Sequence, residues 1–110
     1  NEGLASHWTQ SYPTEASITM ATLMRETRAR DLGGLEVPVL ALFSENDEVV
    51  DARATLELLA RWGGPVTLAP QSLPAEGVDP NAHVIAGDIL SPAMTDPIVG
   101  QILDWAQEAL

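Results

Sequence analysis

Cysteine and lysine are both missing from these 110 residues. Without cysteine there are no disulfides, no thiolate metal sites and no cysteine nucleophile, though the compartment stays open. Five arginines stand against sixteen acids, for a net charge of −11. Phosphate contacts need clustered cations, so this balance disfavours nucleic-acid binding. It equally disfavours attraction to an anionic membrane surface. No apolar run approaches the length of a membrane span, and no signal-peptide pattern opens the chain. Internal repeats and low-complexity tracts are absent as well. What remains is a hydrophobic fraction of 45%, ordinary for a globular protein and enough to argue against wholesale disorder. The length suits one small domain with one core. The chain opens at Asn1 rather than Met, with polar residues that read like the middle of something longer. A fragment or processed product is expected.

The organising stretch runs from Val37 to Asp51, VPVLALFSENDEVVD. Its apolar part is too short for a globular helix, and Pro38 suits the first positions of a strand. A continuous rather than alternating apolar run predicts a strand covered on both faces, as in a parallel α/β sheet. Such sheets place ligands and chemistry at the carboxyl ends of their strands. Four acids, Glu45, Asp47, Glu48 and Asp51, cluster at that end.

The flanking elements follow from caps and periods. Residues 1–13 show no clear period and read as an irregular lead-in, with Trp8 and Tyr12 available to pack on the body and His7 as a surface residue. A helix begins near Thr14, with Glu15 at its positive end, and runs to Leu32, where Gly33-Gly34 stops it. Met20, Leu23 and Met24 form its apolar stripe. That stripe could line an acyl pocket; core packing is the expected role. Arg25, Arg28 and Arg30 could grip an anion, and a solvated face is expected. Asp51 caps a second helix, residues 52–62, which Gly63-Gly64 ends. Residues 65–69 form a short strand bounded by Pro70. Strand, helix and strand make a βαβ unit with a right-handed crossover expected. A Pro/Gly/Asp-rich loop, residues 70–82, then delivers His83; a loop this long inside a small domain is usually functional or mobile. Residues 84–92 read as a buried loop or short turn. The last helix starts at Asp96-Pro97 and presents Ile98, Ile102, Leu103, Trp105 and Ala106 to the sheet.

An acid after a buried strand and a histidine on a later loop are the two parts of an acid–base pair. The acid fixes the tautomer of the imidazole and stabilises its cation, so the histidine can act first as base and then as acid. Each residue also has a plainer reading. Asp47 could cap a turn, as Glu45, Glu48 and Asp51 are expected to do or else to face solvent. His83 could be structural, although its place in a long loop favours function. A metal site from Glu45, Asp47, Asp51 and His83 lacks any spaced histidine pair or calcium-loop pattern. No metal and no cofactor is therefore expected.

The segment EVPVLALFSENDEVVD, residues 36–51, resembles the acid-bearing segment of the α/β-hydrolase superfamily. Asn81-Ala82-His83-Val84-Ile85-Ala86-Gly87-Asp88 is similar to the histidine segment of bacterial lysophospholipase or monoglyceride-lipase-like members. The likeness covers residues 14–110. Ser44 stands where the family often has glycine, and Ala82 precedes the histidine where glycine is common. The resemblance implies the C-terminal part of an α/β-hydrolase fold, in the order α-β-α-β-loop-α, with parallel strands and flanking helices. Residues 1–34 would be the end of a cap region and lead-in helix, and residues 35–110 the sheet and helices that carry the triad acid and histidine. It implies Asp47 as the acid and His83 as the base of a serine hydrolase that cleaves carboxylic or lipid-like esters through an acyl-enzyme. In that family the nucleophile precedes the acid in the chain. Here no G-x-S-x-G occurs; Ser6, Ser11 and Ser17 precede or begin a helix, and Ser91 follows the histidine. The polypeptide by itself is therefore expected to be inactive on the small-molecule esters of its parent. The alternative is a non-catalytic α/β interaction module. Either way, an exposed sheet edge and uncovered apolar faces predict self-association.

Overall fold

Val39–Phe43, an uninterrupted run of Val, Leu, Ala and Phe, is strand β1, and Val66–Pro70 is strand β2. They pair in parallel, with Val39 opposite Val66 and Phe43 opposite Pro70. One backbone bond extends the ladder at each end: Val39 N–H donates to Pro65 O (2.9 Å) and Gln71 N–H to Phe43 O (2.7 Å). Pro70 therefore closes the strand instead of bounding it from outside. At a strand end its missing N–H costs little. In full, the order is α1 (Glu2–His7), α2 (Thr14–Ala29), β1, α3 (Ala52–Leu59), β2 and α4 (Pro92–Ala109). This computed structural model describes residues 2–7, 9 and 11–109. It is a mixed α/β arrangement whose described strands form a two-stranded parallel sheet.

The turns that frame β1 are held tightly. Gly63 N–H donates to Leu32 O (3.1 Å), and the Trp62 indole donates to Val37 O (2.8 Å). A Cβ on Gly64 would stand 2.6 Å from both Glu36 O and Val37 O, and one on Gly63 would overlap the Gly33 carbonyl. Only glycine lets these two backbones approach so closely. The same contacts explain why α2 ends at Ala29, three residues short of Leu32. Arg30 is already extended, Leu32 is buried, and its carbonyl serves the turn at Gly63.

Several packing expectations are corrected. The N-terminal lead-in is helical over Glu2–His7. Thr14 is the first residue of α2, and the cap position falls on Pro13, which offers no side-chain bond. The stripe on α2 is not core: Met20, Leu23 and Met24 are exposed, and no residue of the helix is buried. It faces α3 across an open cleft of about 330 Å³ lined by Leu23, Met24, Val50, Ala54 and Leu58. Tyr12 is exposed, and Trp8 lies outside the described residues. Every residue of β1 is half-buried rather than covered on both faces, because the sheet it belongs to has only two described strands.

Helix α4 starts five residues earlier than expected, with Pro92 rather than Pro97 at the first helical position, for which a proline is preorganised. Pro97 then sits inside the helix. The inner face is Met94, Ile98, Gln101 and Trp105, one residue per turn. Gln101 exchanges two side-chain hydrogen bonds with Gln71 (2.8 and 2.9 Å), and the Trp105 indole donates to Thr67 Oγ1 (3.2 Å). Ile102 and Leu103, expected on that face, are exposed.

Among the described residues the buried apolar side chains are Leu32, Met94 and Ile98. The accessible surface is 8045 Å², against about 5,900 Å² for a compact monomer of 11.7 kDa. The radius of gyration is 16.0 Å, where a compact domain of this length has about 13 Å. Much apolar surface is thus left uncovered. Among the described residues no helix is long and apolar enough to cross a membrane.

An acid–histidine pair at the C-terminal end of the sheet

Past Phe43 the chain turns at Ser44, which is buried to 2% exposure. Its hydroxyl oxygen accepts from Asn46 N–H (3.2 Å) and its carbonyl from Asp47 N–H (3.4 Å). The serine that departs from the common glycine therefore closes the turn with its own side chain. Asp47 is fixed next. Its Oδ1 accepts from the N–H groups of Val49 and Val50, both at 2.8 Å, which leaves Oδ2 for another partner. That partner is His83, whose Nδ1 stands 2.9 Å away across 36 residues of sequence. Asp51 caps α3 through Arg53 N–H (2.8 Å), while Glu45 and Glu48 are exposed. Of the four acids, only Asp47 meets the histidine.

The histidine arrives on an equally constrained loop. Asp79, 6% exposed, turns its carboxylate onto the chain ahead: Oδ1 accepts from Asn81 N–H (3.2 Å), and Oδ2 from His83 N–H (3.2 Å) and Val84 N–H (2.9 Å). Asp79 N–H donates to Ser91 Oγ (2.9 Å), and the Ser91 hydroxyl donates to Val84 O. Ser91 is fully buried. Ala82, just before the histidine, has φ +51°, a left-handed conformation that costs an alanine about 1 kcal/mol or more. The two loops are tied directly by Glu48 N–H donating to Asn81 O (2.9 Å).

The electrostatics suit an ionised acid. Partial burial of Asp47 pushes its carboxyl up, but the bonds from His83, Val50 and Val49 outweigh that and hold it below the usual carboxylate range. The three N–H donors hold Asp79 low as well, against the opposing effect of burial. With Asp47 ionised, the neutral imidazole carries its proton on Nδ1, and Nε2 is left as an acceptor. The His83 side chain is 40% exposed. No serine among the described residues is hydrogen-bonded to His83. His7 belongs to α1, where its Nδ1 meets Ser6 Oγ (2.8 Å) and Gly3 O (3.0 Å).

No three His, Asp or Glu side chains among the described residues converge as a metal-ligand set. The sequence assigns no role to Asp79 and sets Ser91 aside as a nucleophile without showing its part in the loop. The signal available was local: an aspartate before Pro80, with acceptor capacity for the amides two to five residues on, is a loop-templating pattern. Compared with protein-family models, curated proteins and solved structures, the chain has no match in any of the three.

Proposed function

We propose that these residues carry the acid and the base of a serine-hydrolase triad, within the C-terminal part of an α/β-hydrolase fold. The observation that carries this reading is the 2.9 Å bond from Asp47 Oδ2 to His83 Nδ1 at the carboxyl end of a parallel strand. Such a pair has one chemical use above others. His83 Nε2 takes the proton of a serine hydroxyl as its oxygen bonds to an ester carbonyl carbon, and returns that proton to the departing alkoxide. Water then repeats the sequence on the acyl-enzyme, giving the carboxylic acid and free serine. Asp47 stays ionised throughout, holds the ring and balances the imidazolium. The depressed carboxyl of Asp47 supports that role.

The serine comes from polypeptide outside residues 1–110, and a small-molecule ester is the substrate class. The resemblance to lipase-like hydrolases motivates a carboxylic or lipid-like ester. The test uses the protein encoded by the whole reading frame that contains these residues. Labelling by a serine-directed fluorophosphonate and ester turnover are expected in the wild type, with turnover lost in His83→Ala. Labelling and turnover unchanged in both Asp47→Asn and His83→Ala would remove the triad assignment.

A second reading, a non-catalytic interaction module, is favoured by one observation: the exposed Ile18, Met20 and Leu23 of α2. Absence of any fluorophosphonate-reactive serine, together with self-association of the chain, would select it.

A further inference from the structure

We propose that Asp79 is the positioning residue of this site: anchored to Ser91 through its backbone N–H, it uses its buried carboxylate to set where His83 stands and so allows the ring to face Asp47. The inference rests on the acid–base reading of Asp47 and His83. It concerns a residue that touches neither the ring nor any reacting atom.

Three observations carry it. His83 belongs to no helix or strand, so its backbone must be fixed by something else. One carboxylate gathers the N–H groups of Asn81, His83 and Val84, and Asp79 O accepts from Ala82 N–H as well (2.9 Å). Every amide from 81 to 84 therefore ends on Asp79, and Ala82 is held in its left-handed conformation by bonds on both sides. Second, Asp79 is itself anchored. Ser91 Oγ takes its N–H and gives a proton to Val84 O, closing a ring of bonds at the residue immediately before α4. Gly77 O accepts from Ala93 N–H (3.0 Å), which adds a second tie to the same helix start. Third, Asn81, one of the residues so held, receives the bond from Glu48 that joins the loop to the Asp47 turn. The rigid start of α4 thus reaches the imidazole through Ser91 and Asp79. A carboxylate is suited to this task because it has acceptor capacity only: it takes three N–H groups at once with no donor to place.

Asparagine is the discriminating substitution. Asp79→Asn keeps the shape but replaces one acceptor oxygen by an NH2 that opposes the amides it faces. The readout is the His83 ring in long-range 1H–15N spectra of the chain, at a pH where the imidazole is neutral. The wild type is expected to show a protonated Nδ1 and an unprotonated Nε2. Asp79→Asn is expected to shift the ring toward the Nε2–H tautomer that unconstrained histidine prefers, as Asp47→Asn does. In the whole protein the same variant lowers kcat on the order of tenfold to hundredfold with KM unchanged, the effect of a displaced base.

A folded Asp79→Asn chain that keeps the wild-type tautomer, while Asp47→Asn loses it, overturns the role of Asp79 and leaves the pair intact. A wild-type ring without the Nδ1 proton overturns both. Should Asp79→Asn lose the folded Trp105 indole signal, Ser91→Ala decides. A mixed tautomer population is expected there, and an unchanged Nδ1–H ring overturns the proposal.

Discussion

Asp47 Oδ2 and His83 Nδ1 meet at 2.9 Å, and both residues are held from behind by backbone amides: Val49 and Val50 on Asp47, and Asp79's grip on residues 81–84 behind His83. The pair is therefore a meeting of two preformed turns rather than of two free side chains. Each turn has an aspartate at its centre, and both carboxyls are held low.

That arrangement fixes the direction of the pH dependence. A carboxyl whose folded pKa lies below its unfolded value contributes stability that is present above the unfolded value, about 3.9. The contribution is lost as pH falls through the folded values. Urea-unfolding midpoints are expected to be flat near neutrality and to fall below about pH 4. The acid slope flattens in Asp79→Asn and in Asp47→Asn. An unchanged slope in both variants would contradict the lowered carboxyls.

Ser91→Ala removes one acceptor from the buried Asp79 N–H and one donor to the half-buried Val84 O. Leaving such groups unpaired costs about 1–3 kcal/mol, and chemical denaturation of the variant is expected to show a loss of that size. A neutral result would mean that water replaces the hydroxyl without loss.

A glycine in a turn and a glycine in a helix separate by consequence. A Cβ at Gly64 meets two carbonyl oxygens at 2.6 Å, whereas one at Gly100, inside α4, meets nothing within 4 Å. Gly64→Ala is expected to destabilise by more than about 2 kcal/mol, through strain at the entry to β1. Gly100→Ala is expected to stabilise by roughly 0.5–1 kcal/mol, because alanine loses less backbone entropy in a helix. Thermal denaturation of the two variants reads both signs.

The uncovered apolar surface makes a prediction about association. Ile18, Met20 and Leu23 are each more than 60% exposed on one helix. Sedimentation of the isolated chain is expected to show concentration-dependent self-association, weakened in a variant with glutamine at those three positions. A monodisperse monomer that unfolds cooperatively would contradict it.

Much of this arrangement is legible in the sequence, for identifiable reasons. The run from Val39 to Phe43 can satisfy its apolar side chains only in a sheet, and Asp51 before a helical pattern is a strong cap. The strand-helix-strand unit between Asp47 and His83 is legible from local pattern, but the choice of Asp47 among four acids rests on the resemblance to the hydrolase segment. Burial was not legible. Met20, Leu23 and Met24 have core spacing, but periodicity says which face is apolar and not whether anything covers it. Nor was the start of α4. Ser91 and Pro92 act as a helix entry only because Ser91 is also bonded to Asp79 and Val84, a tertiary circumstance that outweighs the local signal of Asp96-Pro97. Asp79 was hidden for the same reason: its four amide contacts are visible only once the loop has folded back.

The central claim is that Asp47 acts through His83 in ester hydrolysis, and a double-mutant cycle on the whole protein tests it most directly. kcat/KM is measured for the wild type, Asp47→Asn, His83→Ala and the double variant. The account predicts strong loss in each single variant and a double variant no slower than His83→Ala, because the acid has no use without the base it holds. Losses that multiply in the double variant, or an Asp47→Asn enzyme as fast as the wild type, would contradict it.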